Sequence, residues 1–405
     1  MLIVLFLFFA PAFAADKNCG QIKDHRVFYL CSIEKHPLSK VADMKANEGA
    51  ALYEQASQWK NPELTVKSVA GSIAGENVGS TELNATVSIS QLWQRAPRLK
   101  LAEEEKQISV IAAKDSFLNV KKEVIRSMFR WRQIEDEQVL LNETLKTFST
   151  IQAQLRSRRI RGPEQEVTLN LVDLARSDYE LKKNQLAIEQ LEMLSKMKGI
   201  WGSDFEMKKE YLPQPKKDWP SFDASVPTGR SFEVQKVLIE AKKAQSEKSV
   251  ADAESWPEVT VGPTIERSTQ GPAQYYSYGV NFSMTLPLVS LKGGARKLAG
   301  TRALEAKFIA EYTERIADLE NVIHLKKYNS AVDSLKRSIK KNDLQKRQKI
   351  NENLFRQGRI PGTLMIEAHR QLNEYLSSQS NHENAAIEAF FEIKNLRGED
   401  IEDIL

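Results

Sequence analysis

Two kinds of hydrophobic pattern run along the chain. In residues 98–160, apolar side chains recur at three- and four-residue steps: Phe117, Val120, Val124, Met128 and Trp131, then Leu141, Leu145, Phe148, Ile151 and Leu155. One apolar stripe with polar flanks is the pattern of a coiled-coil seam. No Pro or Gly stands between Arg98 and Arg161, so the spacing predicts one unbroken helix. About sixty residues at about 1.5 Å each make a rod of about 90 Å. A second such stretch is expected at 295–357. Arg161-Gly162-Pro163 closes the first rod and Gly358-Arg359-Ile360-Pro361-Gly362 the second, both strong helix punctuation. Return helices are expected at 164–198 and 363–396. Pro213, Pro215, Pro220 and Pro227 mark 212–229 as a linker.

The second pattern has period two. From Tyr276 to Leu286, one face carries Tyr276, Tyr278, Val280, Phe282, Met284 and Leu286, the other Ser277, Gly279, Asn281, Ser283 and Thr285. Val259, Val261, Pro263 and Ile265 alternate in the same way with Thr260, Gly262, Thr264 and Glu266, and Leu83, Ala85, Val87 and Ile89 with Asn84, Thr86, Ser88 and Ser90. Residues 63–70 alternate less well, because Lys67 and Val69 share a face. The four runs predict two hairpins, 62–92 and 257–288, joined through 71–80 and 269–273. Their lengths suit strands that cross a membrane in a barrel. Two hairpins cannot close a barrel, and lipid does not tolerate open strand edges. Either the hairpins pack in a soluble sheet or several copies of the chain pool them. Eight or more strands are usual, so two or three copies would be needed. On the barrel reading Val259, Val261, Tyr278, Val280, Phe282 and Met284 face lipid. Asn281, Ser283 and Thr285 face the lumen.

The two halves repeat one another. Pro62-Glu63-Leu64-Thr65-Val66 recurs 195 residues on as Pro257-Glu258-Val259-Thr260-Val261. At the same offset Val87-Ser88-Ile89-Ser90 meets Phe282-Ser283-Met284-Thr285, and Ala56 meets Ala251. Leu101-Ala102 meets Leu298-Ala299 at 197, a two-residue slip in a loop. Short helices at 37–59 and 231–255 precede the two hairpins. The partition is therefore a signal peptide at 1–14, an N-terminal segment at 15–35, a first repeat at 36–211, the linker, a second repeat at 230–397 and a tail at 398–405.

The signal rests on the apolar run Leu2-Ile3-Val4-Leu5-Phe6-Leu7-Phe8-Phe9 followed by Ala12-Phe13-Ala14, which reads as a secretory leader cut after Ala14. A buried N-terminal segment is the other reading. The apolar share of 41% is low for 405 residues, which favours much surface over a large round core. No later run of eighteen apolar residues could span a bilayer as a helix. A net charge of +4 is small and spread out, which argues against nucleic-acid binding. Cys19 and Cys31 are the only cysteines; after export they form one disulfide or stay as two inert thiols. His25, His36, His324, His369 and His382 lack zinc-ligand spacing and read as ordinary surface or helix positions. Glu103-Glu104-Glu105 reads as a solvated face. No phosphate-cradling loop or nucleophile elbow is present, so neither a cofactor nor an enzyme activity is expected. Arg156, Arg158, Arg159 and Arg161 cluster at the first rod's end, which suits either partner docking or a solvated helix end.

In these features the chain resembles the TolC-like outer-membrane factor family over about residues 37–396. The likeness lies in the duplicated strand starts at Asn61-Pro62-Glu63-Leu64 and Pro257-Glu258-Val259, in Leu286-Pro287-Leu288 ahead of Gly293-Gly294, and in Arg356-Gln357-Gly358 ahead of Met365, Ile366 and Ala368. The first repeat has Arg158-Arg159-Ile160-Arg161-Gly162 where the motif would be cleaner. The resemblance implies an α+β membrane protein: a duplicated unit of long antiparallel helices plus two β-hairpins, with a trimeric α-barrel tunnel joined to a 12-stranded β-barrel. It implies a homotrimer in outer-membrane lipid, a helical tunnel in the periplasm, and tips that meet a periplasmic adaptor tied to an inner-membrane pump. Arg159, Gly162, Arg356, Gly358 and Met365 are the tip residues it points to. The expected role is a passive conduit in a tripartite efflux or type I secretion system. A periplasmic adaptor is the alternative; such a protein would carry one helical hairpin between split β-domains and no whole-chain duplication.

Overall fold

The computed structural model describes residues 19, 22–73, 75–157, 162–223, 231–285, 292–339 and 341–405, without the side chains of 73, 76, 341, 342 and 345. The proposed leader, Arg158, Arg159, Arg161, Leu286, Pro287 and Leu288 lie outside the described residues. The described chain is mostly helical with one antiparallel sheet. In order it forms α1 (His25–Lys35), α2 (Pro37–Ser57), β1 (Glu63–Ile73), β2 (Glu76–Ser88), α3 (Gln91–Arg156), α4 (Pro163–Trp201), α5 (Phe232–Glu254), β3 (Val259–Gln270), β4 (Ala273–Met284), α6 (Gly293–Arg337), α7 (Lys341–Arg356) and α8 (Gly362–Arg397). Helix, hairpin, long helical stretch, return helix thus occurs twice, and the ends of β3 and β4 lie 196 or 197 residues after those of β1 and β2, one or two beyond the 195-residue offset of the motifs.

Four expectations need correction. The first rod begins at Gln91, not 98, and takes Pro97 inside it. Its first turn is already closed by Leu92 N–H to Ile89 O and Gln94 N–H to Ser90 O, so Pro97 forgoes only its own bond. The second rod is not continuous: α6 ends at Arg337 and α7 starts at Lys341. Ser338 turns both its N–H and its hydroxyl onto Leu335 O, and Ile339 N–H is taken by the Tyr375 hydroxyl. Those bonds replace the helical ones, and no Pro or Gly marks the place. The first hairpin has no ten-residue connection either. Ile73 pairs with Glu76, and Gly75 at φ +85° supplies the reversal. Thr285, finally, lies one residue past the end of β4, although its N–H still reaches Glu258 O at 3.1 Å.

Compact packing cuts across the repeats. One unit comprises Met1–Lys40, Phe117–Pro227 and Glu320–Leu405; the other comprises Val41–Ser116 and Thr228–Leu319. Each takes a share of both halves. In the first unit, Leu141, Phe148, Ile151 and Leu155 of α3 meet Leu169, Val172 and Tyr179 of α4 and Met365 of α8 in one buried cluster. This is the stripe read from the periodicity. Its N-terminal continuation, Val120, Val124, Met128 and Trp131, is also buried, whereas Phe117 stays exposed. Phe28 of α1 is sandwiched by Trp201 at 5.4 Å and Tyr211 at 5.0 Å between ring centres. Asp24 caps α1 by accepting Val27 N–H, and a disulfide joins Cys19 to Cys31.

Candidate membrane-crossing sheet and helix tips

The second unit holds the sheet. The hairpins pair through β2 and β3 in the order β1-β2-β3-β4. Their register stacks the period-two faces in line. Val66, Leu83, Ile265 and Tyr278 form one row across all four strands. Val87, Val261 and Phe282 form another, and Val259 meets Met284. The opposite face carries Thr65, Asn84, Thr264 and Gly279 in one row and Lys67, Glu82, Glu266 and Ser277 in the next. Because side chains alternate, a one-residue slip would mix the two faces. Along these rows all four strands agree, giving the sheet a mainly apolar and a mainly polar side; Val69 and Tyr275 stand on the polar side and Arg267 on the apolar one.

The apolar side is open. Tyr278, Val280 and Phe282 are 76%, 74% and 63% exposed, and Leu64, Val66, Leu83, Val87 and Met284 are exposed with them. Val259 and Val261 are half-buried. An exposed apolar surface of this kind marks a partner or a membrane. Among the described residues, the outer edges of β1 and β4 have no strand beside them. On the polar side, Glu82 accepts from Asn84 Nδ2 at 3.0 Å and from Thr264 Oγ1 at 3.4 Å. Ser283 is exposed and Asn281 half-buried.

The seam between the hairpins depends on Gly262, which periodicity did not single out. A Cβ there would sit 1.8 Å from Ala85 O and 2.7 Å from Thr86 Cα. Ala85 and Thr86 drop out of the β2–β3 register, opposite Pro263 and Gly262. Pro263 has no N–H to give, which is why an interior strand tolerates it at this irregularity.

The other end of interest is where the rods turn. Gly162 is the exposed N-cap of α4, with Pro163 in the first helical position. Gly358 has φ +70°; its N–H goes to Phe355 O and that of Arg359 to Leu354 O. This is a Schellman ending, which favours glycine by conformation. Nothing in the chain lies within 4 Å of a Cβ built on Gly358. Arg356 is exposed and reaches Glu352 at 3.7 Å. Met365 is 1% exposed. It packs in the core and offers no surface to a partner. The two turns are neighbours: a Cβ on Gly362 would meet Thr168 Cγ2 at 3.1 Å and Ile151 Cγ2 at 3.5 Å.

Two readings of charged groups also change. Glu104 is buried, while Glu105 pairs with Lys243 and Glu103 with Lys106. His36 and His369 are buried as well. Thr144 gives its hydroxyl proton to Leu140 O, so His369 Nδ1, 3.2 Å from Thr144 Oγ1, is the donor between them. Among the described residues, Nε2 then has no hydrogen-bond partner. Burial pushes the His369 pKa down to about 4, against a smaller raising effect of Glu352. Among the described residues, no group of three His, Cys, Asp or Glu could hold a metal ion, and no helix is long and apolar enough to cross a membrane.

Solved structures share this arrangement over nearly their whole length. The outer membrane protein VceC from Vibrio cholerae superposes with a TM-score of 0.68 at 12% identity, covering 93% of this chain and 96% of its own. The Campylobacter jejuni CmeC outer membrane channel gives 0.69 at 13%, covering 94% and 88%. The open state of the Neisseria gonorrhoeae MtrE outer membrane channel gives 0.70 at 11%, covering 94% and 90%. The chain has the TolC-like outer-membrane factor fold. No protein-family model matches it, and no curated protein matches it by sequence. The likeness to these structures is therefore one of backbone fold.

Proposed function

We propose that this chain is one protomer of a trimeric outer-membrane channel that passes cargo from a periplasmic adaptor and inner-membrane pump to the exterior. The observation that carries this is the four-stranded sheet with one exposed apolar face and two open edges. Bilayer accepts such a sheet only when it is closed. Three copies supply twelve strands, a barrel size within the range for outer-membrane proteins. The apolar face then meets lipid and the polar face lines the lumen. Exposed Val167, Leu171, Leu174, Leu181 and Ile188 on α4, at three-, four- and seven-residue steps, support neighbouring helices from another copy. Gly162, Arg356 and Gly358 form the tip that meets the adaptor. The solved structures with this fold are themselves described as outer-membrane channels. An adaptor would separate its β-domains around one helical hairpin, whereas both halves of this chain build a single sheet. The role is a conduit within efflux or type I secretion, without catalysis. Cross-linking in isolated membranes tests it: the full chain should sediment with the outer membrane and yield species up to three chains. Release as a soluble monomer by osmotic shock would overturn the proposal.

A further inference from the structure

The second unit contains a groove of about 910 Å³ between α3, α5 and α6. Five lysines line it: Lys100, Lys242, Lys248, Lys297 and Lys307. Lys307 lies 3.9 Å from Glu311. The other four have no ion pair among the described residues. Glu104 is the one acid among the lining residues, and it is buried. Between the ammonium groups, Ala241, Ala303 and Leu304 give the groove apolar wall. So much positive charge in one concavity attracts an anion, and the apolar wall suits a ligand that is not polar throughout.

Its place in the fold narrows the ligand. Lys100 lies early in the helix that follows β2, Lys297 early in the helix that follows β4, and Lys248 late in the helix that leads into β3. Lys100 and Lys297 are each within roughly 15 Å of the start of their helices, and Lys248 within roughly 15 Å of the end of its own. We infer that the groove binds the headgroup of an anionic phospholipid, with its phosphate among the lysines and the start of an acyl chain against Ala303 and Leu304. This rests on the channel reading, which puts the base of the sheet at the periplasmic surface of the outer membrane. A soluble phosphate would use the same ammonium groups but not the apolar wall.

The test uses full-length protein purified in detergent and titrated with dioleoyl-phosphatidylglycerol or dioleoyl-phosphatidylcholine, with bound lipid counted by native mass spectrometry. Phosphatidylglycerol should bind at least about tenfold tighter, as expected where several lysines meet one anionic headgroup. The triple substitution Lys242→Gln, Lys248→Gln and Lys297→Gln should abolish that preference. The corresponding Lys→Arg triple should keep it, and an unchanged melting curve would exclude misfolding of the Gln triple. Equal binding of the two lipids, an unaffected Gln triple, or displacement of phosphatidylglycerol by millimolar inorganic phosphate would overturn the inference. The cross-linking experiment is read separately. A lysine-dependent lipid preference in a chain that never forms trimers would keep the groove and remove the channel.

Discussion

At the scale of single residues, two glycines carry different constraints. Gly358 needs only its left-handed backbone, with empty space around it. Gly358→Ala should therefore cost about 1 kcal/mol and leave assembly intact. Gly262 needs the absence of a side chain, because the β2 backbone occupies the space a Cβ would take. Gly262→Ala should cost at least the upper end of the roughly 1–3 kcal/mol seen for overpacking. Thermal unfolding of the two variants in detergent checks the order; equal shifts would mean that the hairpin seam relaxes freely. His369 adds a pH dependence. Its folded pKa, near 4, lies below the ordinary 6.5, so the unfolded chain binds the extra proton between them. Its contribution to stability is full above about pH 6.5 and is lost as pH falls toward 4, at up to about 1.4 kcal/mol per pH unit. His369→Gln should flatten the unfolding midpoint in that window, and an unchanged slope would remove the assignment.

At the scale of elements, periodicity was a good guide where one face is buried or where strands alternate strictly. The α3 stripe, apart from the exposed Phe117, and the β4 alternation as far as Met284 are both visible in the residue order. What stayed hidden depends on contacts from far along the chain. Nothing in Ser338 and Ile339 announces a helix break, because the group that accepts the Ile339 N–H is Tyr375, 36 residues away. The resemblance points to Met365 as a tip residue, yet only the arrangement of α3, α4 and α8 decides that it packs inward. Glu104 stands in a run of three acids and is the one that packing buries. If the Tyr375 hydroxyl holds the α6–α7 break, Tyr375→Phe leaves the Ile339 N–H without that partner, a loss on the order of 1 kcal/mol. Hydrogen exchange should then accelerate at Ile339 while α8 stays protected; no change there would mean that the break is held by other bonds.

At the scale of the whole molecule, duplication in sequence and compactness in space are different partitions. The repeats follow the chain, whereas each compact unit takes part of both halves. The sheet exists only because both hairpins reach one unit. Whether that sheet crosses a membrane is the central question, and neighbouring positions on β4 answer it. Phe282 pairs with Val261 and Ser283 with Thr260, on opposite faces. With Cys19 and Cys31 joined to each other, a single cysteine introduced at 282 or 283 is the only free thiol. In intact outer membranes, position 282 should react with a lipid-soluble photoprobe and resist small aqueous reagents, and position 283 should do the reverse. A folded protein in which neither position meets lipid would contradict the barrel, and with it the channel.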